Sequence, residues 1–423
     1  MIEVLKIATN TRHMKDPFSN EGVSVREGRY AHWEKKGLLI FAIATIFSLG
    51  VATLFFIGTA YFKHKQVMQI QNQNVTIETR EKSDNKTLAG GETLTTLQKI
   101  ANVAHIEDKF TQNHSIEEQR EAHENAKDFL KKSLAEIGAQ IDFISHTIKE
   151  TPSLADVVIK DDLDSEVFGV QNTGSVGKDI RESGQGSQDH LVVYGVASQF
   201  NGCEAPIKRT IQPGDAVRVY KSDGTQGPEA QLAFPPEQVE LINCGGNLGF
   251  NGLCHLLNEE TKGEVAHGYF TPSQQKKQMI IEQLRERGDR IEYPCIANKP
   301  LEGEKVVYQI LSAAPAFGKY GNNQSAKGQD QDEIEFLCAL HGYRAQFEKC
   351  LHLAQTNEKP VLFKAAAVGL GVFGNQSINV AKAFYRAGSE YQKSLKTHKV
   401  RVLLQVRGKG PAKQMALELK LLS

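Results

Sequence analysis

Residues 360–377 read PVLFKAAAVGLGVFGNQS, and their reading decides what kind of fold the rest of the chain must build. Pro360–Ala367 is a short apolar run of strand length. Gly369, Gly371 and Gly374 follow in G-x-G-x-x-G spacing, and a helix is expected from about Ser377. Strand, glycine turn and helix start aim backbone N–H groups and a helix N-terminus at one point, the geometry that receives a phosphate. The same residues also suit a tight strand-to-helix turn that needs small side chains for packing. Spacing alone weighs the two readings evenly. A nicotinamide-binding domain is excluded. The next strand, KVRVLLQVRG, ends without the acidic residue that would bind ribose, and only about 50 residues remain after the glycines. A P-loop is excluded because no G-K-[ST] follows.

Outward from this turn, strands and helices alternate. Strands are expected at His190–Ser198, Ala216–Tyr220, Val239–Cys244, Val306–Ala314, Pro360–Ala367 and Lys399–Arg407. Helices are expected near 249–260, 272–288, 332–356 and 377–396. This pattern predicts an α/β domain over 190–423 with a mixed sheet flanked by helices. Residues 165–190, with NTGSVGKD and ESGQGSQD, read as a Gly/Ser-rich loop.

Upstream, Ser115 and Glu118 form a capping-box signature. Leu130, Leu134, Ile137, Ile141, Ile144 and Ile148 then recur at spacings of 4, 3, 4, 3 and 4, a heptad-like seam predicting a helix that runs to about 150. The seam would dock on the C-terminal domain or mediate self-association. Thr151–Pro152 is expected to end it. Residues 63–165 are therefore read as linker and helical stalk. Gly37–Phe62 is a run of 26 uncharged residues. As a helix it is about 39 Å long, enough to cross a hydrocarbon core of about 30 Å. Lys35, Lys36, Lys63 and Lys65 bound it, with Trp33 and Tyr61 at interfacial positions. A single-pass transmembrane helix is expected there, behind a polar N-terminal tail at 1–36.

Lys plus Arg and Asp plus Glu both number 50, so the formal charge is zero, which argues against nucleic acid as a partner. The six cysteines, Cys203, Cys244, Cys254, Cys295, Cys338 and Cys350, form no C-x-x-C pair. No metal site is read from them, and buried free thiols in a reducing compartment are expected. No resident cofactor is expected either.

Three strings carry a resemblance: AAVGLGVFGN with VAKAF in the following helix, VVYGVASQFNGCEAP, and SDGTQGPEAQ. Together they resemble divergent macrodomains, a family that binds and hydrolyses ADP-ribose and includes effectors of Legionella-type bacteria. The resemblance covers about 190–423. It implies ADP-ribose or an ADP-ribosylated protein as partner, and, for an effector, a host membrane as the place of the span. It implies that Asn201 contacts the distal ribose and that Gln199 belongs to the ligand-binding residues. Thr225, Gln226, Gly227, Pro228 and Ala230 would form a first diphosphate-side loop, with Asp223 counted among the ligand-binding residues. Gly369, Gly371, Val372, Phe373, Gly374 and Asn375 would form a second. Where the family carries GGG-x-x-G-A, this chain reads TQGPEAQ. NCGGNLGFNG, residues 243–252, is a further Gly/Asn-rich loop that could hold the ligand instead.

Cleavage of ADP-ribose from a side chain needs a group to position water and an acid to protonate the leaving atom. Asn201, Glu204, Asp330 and Asp332 are the catalytic candidates. Asp330 and Asp332 precede a helix and also suit capping. Asp223, in KSDGTQG, also suits a turn. His190, His255, His267, His341 and His352 are isolated in sequence. Cys203 has no evident His partner. The leading expectation is a membrane-anchored ADP-ribosyl hydrolase. A non-catalytic ADP-ribose reader and a tethered interaction scaffold are the alternatives.

Overall fold

A computed structural model describes residues 114–422 except 187–188, 205–210 and 319–327. All of these belong to one of two compact units of the chain, Thr93–Ser423. The tail at 1–36, the span expected at 37–62 and the linker up to residue 113 lie outside the described residues. Among the described residues no helix is long and apolar enough to cross a membrane.

Helix α1 (Ile116–Glu136) opens the described chain. Its capping box is complete: the Ser115 hydroxyl accepts from Glu118 N–H at 3.2 Å, and the Glu118 carboxylate accepts from Ser115 N–H at 2.7 Å. The helix does not run to 150. It stops where Gly138 adopts φ +77°. Gly138 N–H donates to Ala135 O, and Ala139 N–H to Leu134 O, which is a Schellman ending. The chain then enters strand β1 (Gln140–Ile144).

Strand β2 (Phe168–Asn172) and helix α2 (Val176–Gln185) occupy what reads as a Gly/Ser loop. Strand β3 (Leu191–Ser198) follows. Three helices come next: α3 (Ala216–Lys221), α4 (Gln226–Gln231) and α5 (Pro236–Leu248). The runs 216–220 and 239–244, expected as strands, are thus helical. Residues 249–260, expected as a helix, are turns. A two-residue hairpin, β4 (Val265–Ala266) and β5 (Tyr269–Phe270), precedes α6 (Lys277–Arg287). Strands β6 (Tyr293–Asn298) and β7 (Val307–Ala313) lead to α7 (Gln329–Asn357). The end of the chain is β8 (Val361–Ala365), α8 (Ser377–Thr397), β9 (Val400–Val406) and α9 (Pro411–Glu418).

Seven strands form one mixed sheet in the order β1-β6-β7-β3-β8-β9-β2. The β1–β6 and β6–β7 pairs are antiparallel; β7, β3, β8, β9 and β2 run parallel. The sheet therefore draws on residues before 190 at both edges. Each face buries a core. One face packs Ile280 and Leu284 of α6, Phe336 and Phe347 of α7, Val380 and Phe384 of α8 and Met415 of α9. The other packs Leu130 and Leu134 of α1, Val176 and Ile180 of α2, Ala230 of α4 and Leu241 of α5. Because both faces are covered, the central strands read as continuous apolar runs. The seam residues Leu130, Leu134, Ile141 and Ile144 are buried in these cores. The seam is therefore occupied by the chain's own domain. All six cysteines are free and buried.

Candidate functional site

Strand β3 is the point where the chain reverses direction across the sheet. The strands after it build first on its β7 side, then on its β8 side. A crevice at the carboxyl ends of such strands is where open α/β sheets bind ligands. Here the crevice has a local cause. The β3–β8 ladder ends at Tyr194↔Lys364, while β3 continues to Ser198 against β7. Past Tyr194 the β8-facing edge of β3 is open. The Gln226 side chain fills it, with Oε1 accepting from Ala197 N–H at 2.8 Å and Nε2 donating to Gly195 O at 3.3 Å. Gln226 thereby pins the start of α4 to the strand end.

A cavity of 160 Å³ lies between these strand ends. Its walls include Glu204, Thr225, Gln226 and Gly227 on one side and Gly369, Gly371, Val372 and Phe373 on the other. The two small-residue loops expected from the sequence thus face one space. A second cavity of 210 Å³ adjoins it towards β9 and β2, sharing Ala197, Gln226, Ala367 and Gly371. Together they reach the lower range of small-molecule pockets, ~300–1,000 Å³.

The glycine loop owes its shape to two positive-φ residues. Gly369 has φ +86°, and a Cβ there would lie 2.7 Å from the Ala314 Cβ. Gly374 has φ +74° and packs on Gly318. Asn375 closes the loop: its N–H donates to Gly369 O at 3.1 Å and its Nδ2 to Pro315 O at 2.7 Å. Phe373 O accepts from Phe317 and Gly318 N–H at 2.8 and 2.6 Å. Its ring lies 5.8 Å from that of Tyr269. Gly371 has nothing within 4 Å of its Cβ position and sits where the two cavities meet.

Glu204 is the acidic residue that lines this cavity. Its N–H donates to the buried Tyr220 hydroxyl at 2.7 Å, and its carboxyl lies against Gly227, where a Cβ would collide with it. Burial, and then the charge of Asp223, push the Glu204 carboxyl well above the usual carboxylate range. A carboxyl with a raised pKa keeps its proton to higher pH, which suits a proton donor. Asp223 itself accepts from Thr225 N–H at 2.8 Å, closing an Asx turn. Thr225 caps α4 through its backbone alone. Pro228 is buried within the first turn of α4.

Other expected site residues lie outside both cavities. Asn201 is held in the turn after β3: its Oδ1 accepts from Cys203 N–H at 3.0 Å and lies beneath Gly268. Gln199 is buried in the same turn, its N–H donating to Cys203 O. Asp330 accepts from Gln278 of α6 at 2.7 Å. Asp332 accepts from Gln376 and from Asn379 of α8. These two aspartates tie the first turn of α7 to its neighbours, and the N-cap is Gly328. The Gly/Asn-rich segment 243–252 is the end of α5, closed by Gly249 at φ +124°. Burial pushes the Cys203 thiol far up, which disfavours the thiolate a nucleophile needs.

Two histidines isolated in sequence are not isolated in space. His341 meets His146, Nδ1 to Nε2, at 2.8 Å. His255 joins His123, Glu124 and Glu292, whose ligand atoms lie within 4.8 Å of one another. That donor set resembles a zinc site, but its protons argue otherwise. Asn251 N–H donates to His123 Nδ1 at 3.1 Å, which leaves the ring proton on Nε2, 2.6 Å from Glu292. Lys127 lies 2.9 Å from Glu292 and 3.1 Å from Glu124. An ammonium and a ring N–H already serve these carboxylates, and the cluster fastens α1 to the start of β6.

No family model matches this chain, and no curated protein matches it.

Proposed function

We propose that the crevice binds ADP-ribose and that the chain is an ADP-ribosyl hydrolase acting on a modified protein. One observation carries this reading. The two small-residue loops that resemble macrodomain diphosphate loops wall a single cavity, and that cavity is lined by a carboxyl whose pKa is raised. In the proposed reaction water adds to the anomeric carbon of the ribose as the bond to the protein side chain breaks. Glu204 supplies the proton taken by the leaving atom, and the proton lost by the water restores it. The backbone around Gly371 offers close approach to the diphosphate, and Gln226 keeps the opposite wall in place. The apolar run at 37–62 would hold this domain at a membrane.

The placement of Asn201 favours a second reading. With its side chain committed to the turn, the crevice lacks that candidate for positioning water, as a non-catalytic reader of ADP-ribose would. Glu204→Gln separates the two. A hydrolase loses turnover of an ADP-ribosylated protein by about 100-fold or more while calorimetric binding of ADP-ribose persists. Undiminished turnover would remove Glu204 from the chemistry. Binding without turnover in the unaltered chain would establish the reader.

A further inference from the structure

Strand β1 ends the sheet and pairs only with β6. Opposite Phe143 stands Pro294, which has no N–H, so this pair is one without ladder bonds. Bonded and unbonded pairs alternate along an antiparallel ladder. Ile141 and Phe143 therefore turn N–H and C=O away from β6, to the open edge. Among the described residues no hydrogen bond meets these four groups. A groove of 510 Å³ runs along the edge, with Lys127 and Lys131 of α1 on one wall and Glu348, Lys349 and His352 of α7 on the other. A cavity of 240 Å³ shares Ser145 and Glu292 with it and continues to Asp289 and Arg290. An unpaired strand edge in a groove walled by helices is where an extended peptide can add itself to a sheet.

Charge decides what kind of peptide. The carboxylates of the groove are already engaged. Asp142 accepts from Lys349 at 2.6 Å and Glu292 from Lys127 at 2.9 Å. Glu348 accepts from Thr147 N–H at 3.1 Å and from the Tyr391 hydroxyl at 2.9 Å, and Asp289 is paired with Lys149. Two exposed cations are not engaged. The Lys131 ammonium lies 5.8 Å from the centre of the Phe143 ring and meets no carboxylate among the described residues; nor does Arg290. We propose that the β1 edge binds an extended acidic peptide of a partner protein as an added strand, with its carboxylates at Lys131 and Arg290. A second copy of this chain fits less well. It would bring the same surplus of positive charge, and pairing Ile141 with Phe143 across two antiparallel β1 edges would set Asp142 opposite Asp142. None of these residues lines the crevice, so the proposal stands apart from the ADP-ribose reading.

The test titrates the full chain with three capped heptapeptides: alternating Glu and Val, the same with Gln for Glu, and the first with every backbone nitrogen methylated. Calorimetry reads affinity, and amide hydrogen exchange followed by mass reads residues 140–145. The glutamate peptide is expected to bind and to slow exchange at 140–145. The glutamine peptide is expected to bind about five- to tenfold more weakly, through loss of two exposed ion pairs. The methylated peptide, with no N–H to give the edge, is expected not to bind. Lys131→Ala combined with Arg290→Ala changes only exposed side chains, and this variant is expected to bind the glutamate and glutamine peptides equally. No binding of the glutamate peptide at millimolar concentration overturns the proposal. So does binding that leaves exchange at 140–145 unchanged, or a preference for glutamate that survives in the double variant. Exchange at 140–145 that slows as the chain alone is concentrated overturns it in favour of a second copy.

Discussion

Single residues in the crevice separate fold from ligand. Gly369 and Gly371 share a motif but not a constraint. Gly369→Ala forces a side chain into a left-handed backbone and onto Ala314. Thermal or urea melts are expected to show a loss of at least ~1–2 kcal/mol. Gly371→Ala meets open space, so its stability should stay within about 0.5 kcal/mol of the unaltered chain, while its new methyl group narrows the junction of the cavities and weakens ADP-ribose binding. Away from the crevice, burial and then Arg344 lower the pKa of His146 to about 4. Its value in the unfolded chain is ~6.5, so the unfolded chain takes up the proton first. Stability present above about pH 6.5 is lost as pH falls towards about 4, by roughly 3 kcal/mol. Urea melts across that window measure the loss, and His146→Gln is expected to reduce it without abolishing it, because burial also lowers the pKa of the neighbouring His341. Much of the crevice is legible at this scale, because Glu204, Gln226 and the glycines stand in short strings with few physical uses. Sequence does not place Asn201, Asp330 and Asp332, since a polar side chain near a helix start or turn serves backbone and ligand equally well.

Elements are legible where their period is unambiguous. Strands β3, β7, β8 and β9 and helices α6, α7 and α8 fall within a few residues of the sequence reading. The run VELINC of α5 fails the same test. It is buried on most sides, so its apolar residues carry no period that separates helix from strand. The signal that decides it is Pro235–Pro236, with Pro236 at the first helical position. The seam from Leu130 to Ile148 misleads for a different reason. Its spacing continues unbroken across Gly138, where the chain changes from helix to strand. Ile141 and Ile144 are buried as strand residues that happen to fall in register with the helix before them.

For the molecule as a whole, the boundary of the folded unit matters most. A domain starting at 190 would lack both edge strands. A fragment of residues 186–423 removes β1 and β2, opens the edges of β6 and β9, and strips α1 and α2 from one core. It is expected to show no cooperative melt by circular dichroism, whereas residues 114–423 are expected to melt in one transition. The thiols add a consequence of their own. All six are buried, and burial raises their pKa values, to about 12 for Cys244, Cys254 and Cys295. A soft electrophile in the surrounding water therefore finds nothing to alkylate until the sheet and its helices part. The uptake of such a label, followed by mass, is a stopwatch for breathing of the molecule, installed at six places by the chain itself.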